Sequence, residues 1–461
     1  MALEIDRLTT TDQEGRRVYL YQPDFNGRFK RLRGGLYYFL IALYLVLPWI
    51  HVHGEQWVRL DVEHRVFHLF GQDLMAHNLP MVLFLLLFFA FSLAFITARW
   101  GRLWCGYACP QTVFLDAIYR PLERWIEGNH TQRRDLDRAP MSAKKFLIRA
   151  LKWLAFTIVS LHIVHSFLGY FVGTYELVEI STRHPAENWT LFVLMLIMTG
   201  ILLFDFGWFR EQFCIIACPY GRIQSVLMDE HSLIIGYDES RGEPRRGIAP
   251  TREQEGDCID CNKCVRVCPT GIDIRKGLQL ECIACTACID ACDEIMDKIK
   301  KPRGLIRYTT EAELEKKPQR KFTIRQGVYL AVLVIVSAVL VRTLGHLHDI
   351  EVVFTRTGQP YQIIQDNVVS FYQLKLQRMG KTPQTIRFVA KGDEDLQPVS
   401  IKTPTMPLTL DKEIQNTIIF FEVPKSRYKN GEYPLLFEVE VEHDGQWFVI
   451  NEMEFNLAGP F

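Results

Sequence analysis

No cysteine follows Cys292 in this 461-residue chain and none precedes Cys105, so all twelve lie between those two positions. A disulfide-stapled tail is thereby excluded, and the thiols gather where a reducing compartment would keep them free. Surplus charge is also missing, because 53 basic residues balance 53 acidic ones. That balance removes the electrostatic argument for binding nucleic acid. The first 33 residues are polar and basic without an apolar h-region, so no cleavable signal peptide is expected. There is no Rossmann-type phosphate loop and no flavin signature. Any electrons must therefore come from a separate donor.

Eight of the twelve cysteines form two near-identical runs, Cys258-x2-Cys261-x2-Cys264-x3-Cys268-Pro269 and Cys282-x2-Cys285-x2-Cys288-x3-Cys292. A cubic iron–sulfur cluster needs three thiolates from one tight loop and a fourth from elsewhere. In two-cluster ferredoxins the fourth cysteine of each run serves the other cluster. The spacing thus predicts two 4Fe–4S clusters. One takes Cys258, Cys261, Cys264 and Cys292; the other takes Cys282, Cys285, Cys288 and Cys268. Structural zinc would call for separated pairs rather than repeated triplets. Asp293 stands where Pro269 follows the first run, which should weaken a local turn without removing a ligand. Lys263, Arg266, Arg275 and Lys276 flank the runs, where they either offset cluster charge or coat the surface.

Five stretches, approximately 34–53, 79–98, 150–173, 188–206 and 325–346, are apolar enough for a bilayer core, which takes about 20 residues. Arg325 and Arg342 bracket the last one and can snorkel toward the headgroups. Lysine and arginine concentrate in 1–33, 99–149 and 207–325 and are scarce in 54–78 and 174–187. The positive-inside rule then places the N-terminus and the cysteine runs in the cytoplasm and the C-terminus outside. The predicted organisation is a cytoplasmic segment 1–33, duplicated transmembrane hairpins 34–206, a ferredoxin domain 207–324, a fifth transmembrane helix 325–346 and a periplasmic domain 347–461. Polar stretches at 236–257 and 300–321 read as linkers around the clusters.

The other four cysteines repeat one motif. Trp104-Cys105-Gly106-Tyr107-Ala108-Cys109-Pro110 follows the second span, and Phe213-Cys214-Ile215-Ile216-Ala217-Cys218-Pro219 follows the fourth, with Arg102 and Arg210 close by. Two such hairpins side by side would bring four sulfurs together. Cysteines four apart share one helix face, and the proline disfavours helix before it while opening a new one. A cysteine in that place is expected to be a low-pKa thiolate, stabilised by the helix dipole and the arginine. Such soft sulfur suits Cu(I), and four of them equally suit an iron–sulfur cluster. Structural buried thiols are the bland alternative, which the duplication weakens.

Histidines add weaker signals. His162 and His165 lie in the third span and His51 and His53 end the first, where copper, haem or quinone contact competes with hydrogen bonding between helices. Met195 and Met198 in the fourth span are expected to pack. Beyond residue 350, Val368–Leu376 and Ile386–Phe388 alternate, and Phe437, Val439 and Val441 alternate with Glu438, Glu440 and Glu442. Asp444-Gly445 then turns the chain into Trp447–Ile450. About seven short strands predict an immunoglobulin-like sandwich with no catalytic constellation, hence a docking or structural module. The expected class is mixed: a polytopic α-helical membrane protein of five spans, a dicluster ferredoxin insertion and a C-terminal β-sandwich.

Together the twin motifs (Cys105/Cys109 and Cys214/Cys218), the dicluster run, the five spans and the terminal sandwich resemble one family over nearly the whole chain. It is the FixG-like membrane polyferredoxins, also known as CcoG, accessory proteins of cbb3-type cytochrome c oxidase. The dicluster run is shared with many ferredoxins, and the twin motif with polyferredoxins of nitrate and nitrous oxide respiration. The resemblance implies a cupric reductase that serves oxidase assembly, with copper reduced at Cys105, Cys109, Cys214 and Cys218. It implies a bacterial cytoplasmic membrane as the setting and the lipid bilayer, oxidase subunits or copper chaperones, and a cytoplasmic electron donor as partners, with room for a homodimer. Two other readings stay open. One is a membrane ferredoxin that passes electrons to quinone or another membrane partner, its four outlying cysteines holding a third cluster. The other is a non-redox assembly scaffold whose clusters sense redox state.

Overall fold

Apolar stretches of this length satisfy their backbone internally as helices, and they do so here in all five places. The computed structural model describes residues 10, 14, 17–52, 54–62, 66–69, 72–75, 79–247, 251, 254–320, 322–345, 350–356, 361–378, 384–392, 399–402, 407–410, 414–443 and 446–460. Helices long and apolar enough to cross a membrane run over Arg28–Trp49, Val82–Trp100, Ala143–Val172, Pro185–Phe209 and Ile324–Arg342. Two of them start earlier than hydropathy indicates. The first continues back to Arg28 because Arg33 turns inward to Asp116 (2.7 Å) instead of ending the helix in water. The third is capped by Ser142, whose hydroxyl accepts the Lys145 N–H, so seven further residues of polar helix precede the apolar run. The fifth is tied to its neighbours at one end. Arg325 donates to the carbonyls of Val226 and Met228, and Gln326 to that of Ala98.

The loop between the first two spans is partly ordered sheet, a feature the span count hides. Val58–Asp61, Val66–Leu69 and Gln72–Met75 form a three-stranded antiparallel sheet, and His51–Val52 pairs with Glu55–Gln56. The stretches read as linkers are also structured. Ile234–Tyr237 and Ile306–Thr309 pair antiparallel and close the cysteine-rich insertion at its base. Short helices, Glu239–Gly242 and Glu311–Leu314, follow those strands. Inside the insertion the helix Ala287–Lys298 packs Ile289 and Met296 against Ile235, Leu305 and Ile306.

A buried ion cluster locks the helices beside the first unit's cysteines. Glu123, on the helix Arg120–Glu127, is 1% exposed and accepts from Arg210 (2.8 Å), Arg133 (2.8 Å) and Tyr19 (3.1 Å). Lys152 of the third span lies 2.8 Å from Glu127 and 3.6 Å from Glu123. Burial alone would raise the Glu123 carboxyl, but the Arg210, Lys152 and Arg133 cations outweigh it and hold it at about 2 rather than 4.5.

The chain divides into two compact units, Met1–Leu340 and Val341–Phe461. Among the described residues the second is a two-sheet antiparallel sandwich of nine strands, against about seven expected. One sheet runs Ser400–Lys402, Ile414–Pro424, Asn367–Arg378 and Ile350–Arg356, with Gln362–Ile364 also on Asn367–Arg378. The other runs Leu408–Leu410, Gln384–Gly392, Glu432–His443 and Gln446–Ala458. Ile386 faces Val441, Phe388 faces Val439 and Ala390 faces Phe437, so the alternating apolar positions share one face. Phe421 and Phe437 meet edge-on at 5.7 Å between the sheets. Asp444, Gly445 and His53 lie outside the described residues.

The Glu123 cluster predicts an acid limb to stability. A carboxyl depressed in the fold contributes stability above its unfolded value, near 4.5, and that contribution is lost as pH falls through about 2. Glu123→Gln should cost about 3–5 kcal/mol at neutral pH, since it strands buried cations. Thermal midpoints in detergent should therefore differ most at pH 7, and the two proteins should converge toward pH 2.

Candidate redox site

The two copies of the outlying motif share one backbone closure as well as their sequence pattern. In the first, the Cys109 N–H bonds back to the Trp104 carbonyl at 2.9 Å; in the second, the Cys218 N–H reaches the Phe213 carbonyl at 2.7 Å. Both close a six-residue turn, one residue wider than an α-turn, of the kind that concentrates at functional sites. Pro110 and Pro219 then open the helices Pro110–Phe114 and Pro219–Leu227. The preceding cysteines are extended, at φ −64°, ψ 126° and φ −71°, ψ 111°, as a residue before proline prefers.

The four thiols lie within electrostatic reach of one another, and burial raises three of them. Burial drives the Cys105 thiol up to about 12, and Cys109 and Cys218 add to that while Arg102 offsets only part. Burial, then Cys109, Cys105 and Cys218, likewise raises Cys214. Burial raises Cys109 against the N–H groups of Gln111 and Thr112. The expected low-pKa thiolate is thus reversed for these three, because dry surroundings outweigh the short helix's dipole. Arg210 takes no part, since it is committed to Glu123 and Tyr19. Arg102 serves the insertion by donating to the carbonyls of Leu280 and Cys282.

The two dicluster runs also fold alike. Asp260 and Asn262 flank Cys261, and Ala284 and Thr286 flank Cys285, all four with φ between 50° and 60°. Left-handed residues at matched places turn successive N–H groups to one side, which makes a concavity for an anionic group. One cavity, of about 380 Å³, is lined by Cys258, Cys261, Cys264 and Cys292. The other, of about 340 Å³, is lined by Cys268, Cys282, Cys285 and Cys288, with Cys264 between the two. Each cavity brings four thiols together among isoleucines. The residues present fit a cubic cluster. Burial raises Cys264 and Cys285 to about 11 and Cys292 to about 12, so metal must displace protons on binding.

Other positions behave differently from their sequence reading. Asp293 weakens no turn, because Cys292 lies inside the helix Ala287–Lys298, where proline would break the ladder. Its carboxylate instead accepts the Gly304 N–H at 3.0 Å. Arg275 borders the first cavity and pairs with Asp260 and Asp273, and Arg266 donates to the Cys261 carbonyl. Lys263 pairs with Glu294, and Lys276 is exposed. His162 is exposed and His165 half-buried, while His51 stacks on Tyr175. Met195 and Met198 pack on the Val164–Leu168–Leu177 core. Among the described residues, no three His, Cys, Asp or Glu side chains converge as tightly as a single metal ion requires.

The twin motif rests directly on the second run. A β-carbon on Gly106 would collide with the Ala284 carbonyl, so only glycine fits between Cys105 and that loop. Arg33 donates to the carbonyls of Gly106 (3.0 Å) and Cys285. Cys105 and Cys214 pack on Val267, Ile283, Cys285 and Ala287. Sequence spacing carries no sign of this contact.

Comparison with known proteins follows the same pattern. Residues 209–311 match a family described as a 4Fe-4S dicluster domain, and residues 81–129 match a 4Fe-4S binding domain. Protein RdxA of Cereibacter sphaeroides is 35% identical over 401 residues, covering 83% of this chain and 84% of its own. The chain belongs to the FixG/Rdx family of polyferredoxins. Protein RdxB of the same organism is 34% identical over 409 residues, 84% of this chain and 85% of its own. The nitrogen fixation protein FixG of Rhizobium meliloti is 37% identical over 306 residues, 64% of this chain and 58% of its own. This FixG/Rdx-family chain is an iron–sulfur electron-transfer protein with five helices able to cross a membrane among its described residues.

The Gly106 contact makes a sharp test. Gly106→Ala should lower stability by about 1–3 kcal/mol, the usual cost of overpacking, and should alter the signal of the cluster expected on Cys282, Cys285, Cys288 and Cys268 more than that of the other. Thermal unfolding and low-temperature electron paramagnetic resonance would read both. Unchanged midpoint and spectra would mean that the loops do not press on each other.

Proposed function

We propose that this protein reduces Cu(II) to Cu(I) at Cys105, Cys109, Cys214 and Cys218, in service of cbb3-type oxidase assembly. The observation that carries the reading is the packing of the twin motif on the Cys282–Cys288 loop, through Gly106, Ala284 and the Arg33 bridge. Clusters held by the eight dicluster cysteines supply one-electron transfer when bound. The chain's own residues do the rest. Thiolates are soft ligands that favour Cu(I), so copper that gains one electron is held in its reduced state. Burial of the thiols keeps water out and makes copper entry release protons. Lysine- and arginine-rich flanks support a cytoplasmic insertion that takes electrons from a soluble donor. The terminal sandwich, on the far side, would dock oxidase subunits or a copper chaperone. An immunoglobulin-like relation for it is supported by its sheet order, although Ser400–Lys402 and Leu408–Leu410 each join the sheet opposite the preceding strand's.

A second reading places a third cubic cluster on the same four cysteines. The 4Fe-4S binding match over 81–129, which contains Cys105 and Cys109, favours it. Iron quantification separates the two, at about eight irons per chain against about twelve. For the copper reading, anaerobic protein that is chemically reduced and then given Cu(II) should produce a Cu(I)–chelator signal. Replacing Cys105, Cys109, Cys214 and Cys218 with serine should abolish that signal while about eight irons remain. An unchanged rate in the serine variant would show that copper reacts elsewhere.

A further inference from the structure

A basic cavity of about 370 Å³ opens beside the insertion and shares only Cys285 with the cluster cavities. Ligand clefts commonly measure about 300–1,000 Å³, so it has room for a small molecule. Three parts of the chain build it: the extended segment 17–25, the start of the first span, and the helix that holds Arg120 and Arg124. Its floor is the insertion itself, through Val267, Pro269, Cys285 and Ala287.

Charge sets the chemistry. Seven cationic side chains line the cavity against three carboxylates, Asp24, Asp116 and Glu211. Most of the cations are already paired. Arg124 meets Asp24, Arg33 and Arg120 share Asp116, and Arg133 and Arg210 share the buried Glu123 behind the wall. Two are left over. Among the described residues neither Arg17 nor Lys30 pairs with a carboxylate. Arg17 lies over the rings of Tyr19 and Trp208, at 5.5 and 5.3 Å, and its Nε is buried without a hydrogen-bond partner. The Lys30 ammonium lies over Phe25 and donates to that residue's carbonyl, at 2.6 Å. A guanidinium and an ammonium that line one cavity, neither paired with a carboxylate among the described residues, match the acceptor oxygens of a phosphate. Aromatic walls from Tyr19, Phe25, Tyr37 and Tyr38 would take an apolar or planar remainder.

We propose that this cavity binds a phosphate-bearing ligand, held by Arg17 and Lys30 against the loop that carries Cys285. The proposal is independent of copper chemistry. It would stand if the four outlying cysteines held a third cluster. A phosphate can arrive here on a soluble flavin nucleotide or on an anionic lipid headgroup, because the first span begins at the cavity's rim.

The test uses the full chain, purified anaerobically in detergent, with two probes. Flavin mononucleotide is titrated by fluorescence, with inorganic phosphate as competitor. Native mass spectrometry follows retention of phosphatidylglycerol against phosphatidylcholine. The double variant Arg17→Gln/Lys30→Gln should weaken binding about tenfold or more, whereas Arg325→Gln, away from the cavity, should not. Saturable flavin binding lost in the double variant assigns a soluble nucleotide. Selective phosphatidylglycerol retention lost in the variant assigns a lipid headgroup. Failure of both probes with the unaltered chain overturns the proposal, as does equal binding by the double variant. Unchanged iron content shows that the variant folds; if iron is lost, Arg17→Gln alone is read in its place.

Discussion

One buried guanidinium joins the parts on which electron transfer depends. Arg33 is 4% exposed and donates to the Tyr37 hydroxyl (2.6 Å), the Gly106 carbonyl (3.0 Å), the Asp116 carboxylate (2.7 Å) and the Cys285 carbonyl. Those acceptors belong to the first span, the first cysteine motif, the turn after it and the second dicluster loop. A lysine could not replace it, because three hydrogens on one point charge cannot span four directions. The membrane helices and the cysteine-rich insertion are therefore parts of one packed unit, and the first span's early start at Arg28 follows from this contact.

Burial sets the character of both cysteine sites. Thiols with raised protonation preference are poor nucleophiles and stay inert until a metal displaces the proton. The backbone compensates with geometry. Matched left-handed residues shape each dicluster loop, and matched six-residue closures shape each outlying motif. Non-glycine residues such as Ala284 and Thr286 hold positive φ at a cost of order 1–3 kcal/mol each, which the surrounding packing must offset.

How much of this could be read from the sequence depends on the range of the interaction. Spans and cysteine grouping are local patterns, and hydropathy and spacing report them directly. The two dicluster cavities are lined by the cysteines that the crossed-ligand rule names. Long-range polar contacts are not local patterns. Nothing near Arg210 in sequence announces Glu123, 87 residues away, and the arginine beside the second motif therefore looks like a thiolate partner when it is not. Asp293 misleads for a related reason, because its meaning depends on Cys292 being inside a helix. Short strands such as Val58–Asp61 escape notice since four alternating residues are too few for a periodicity.

The Cys282–Cys288 loop shows why the insertion cannot be treated as a detachable module. Turning its N–H groups toward the thiols leaves carbonyls pointing outward, and buried carbonyls need donors. Arg102 supplies the carbonyls of Leu280 and Cys282, and Arg33 that of Cys285. Both arginines come from the membrane half of the chain. At Ala284 the same half supplies not a donor but an empty place, the missing side chain of Gly106. A ferredoxin cut at residues 207 and 324 would keep all eight ligands and lose every one of these partners. The loop's shape, and with it the site that the outlying cysteines rest on, belongs to the whole first unit.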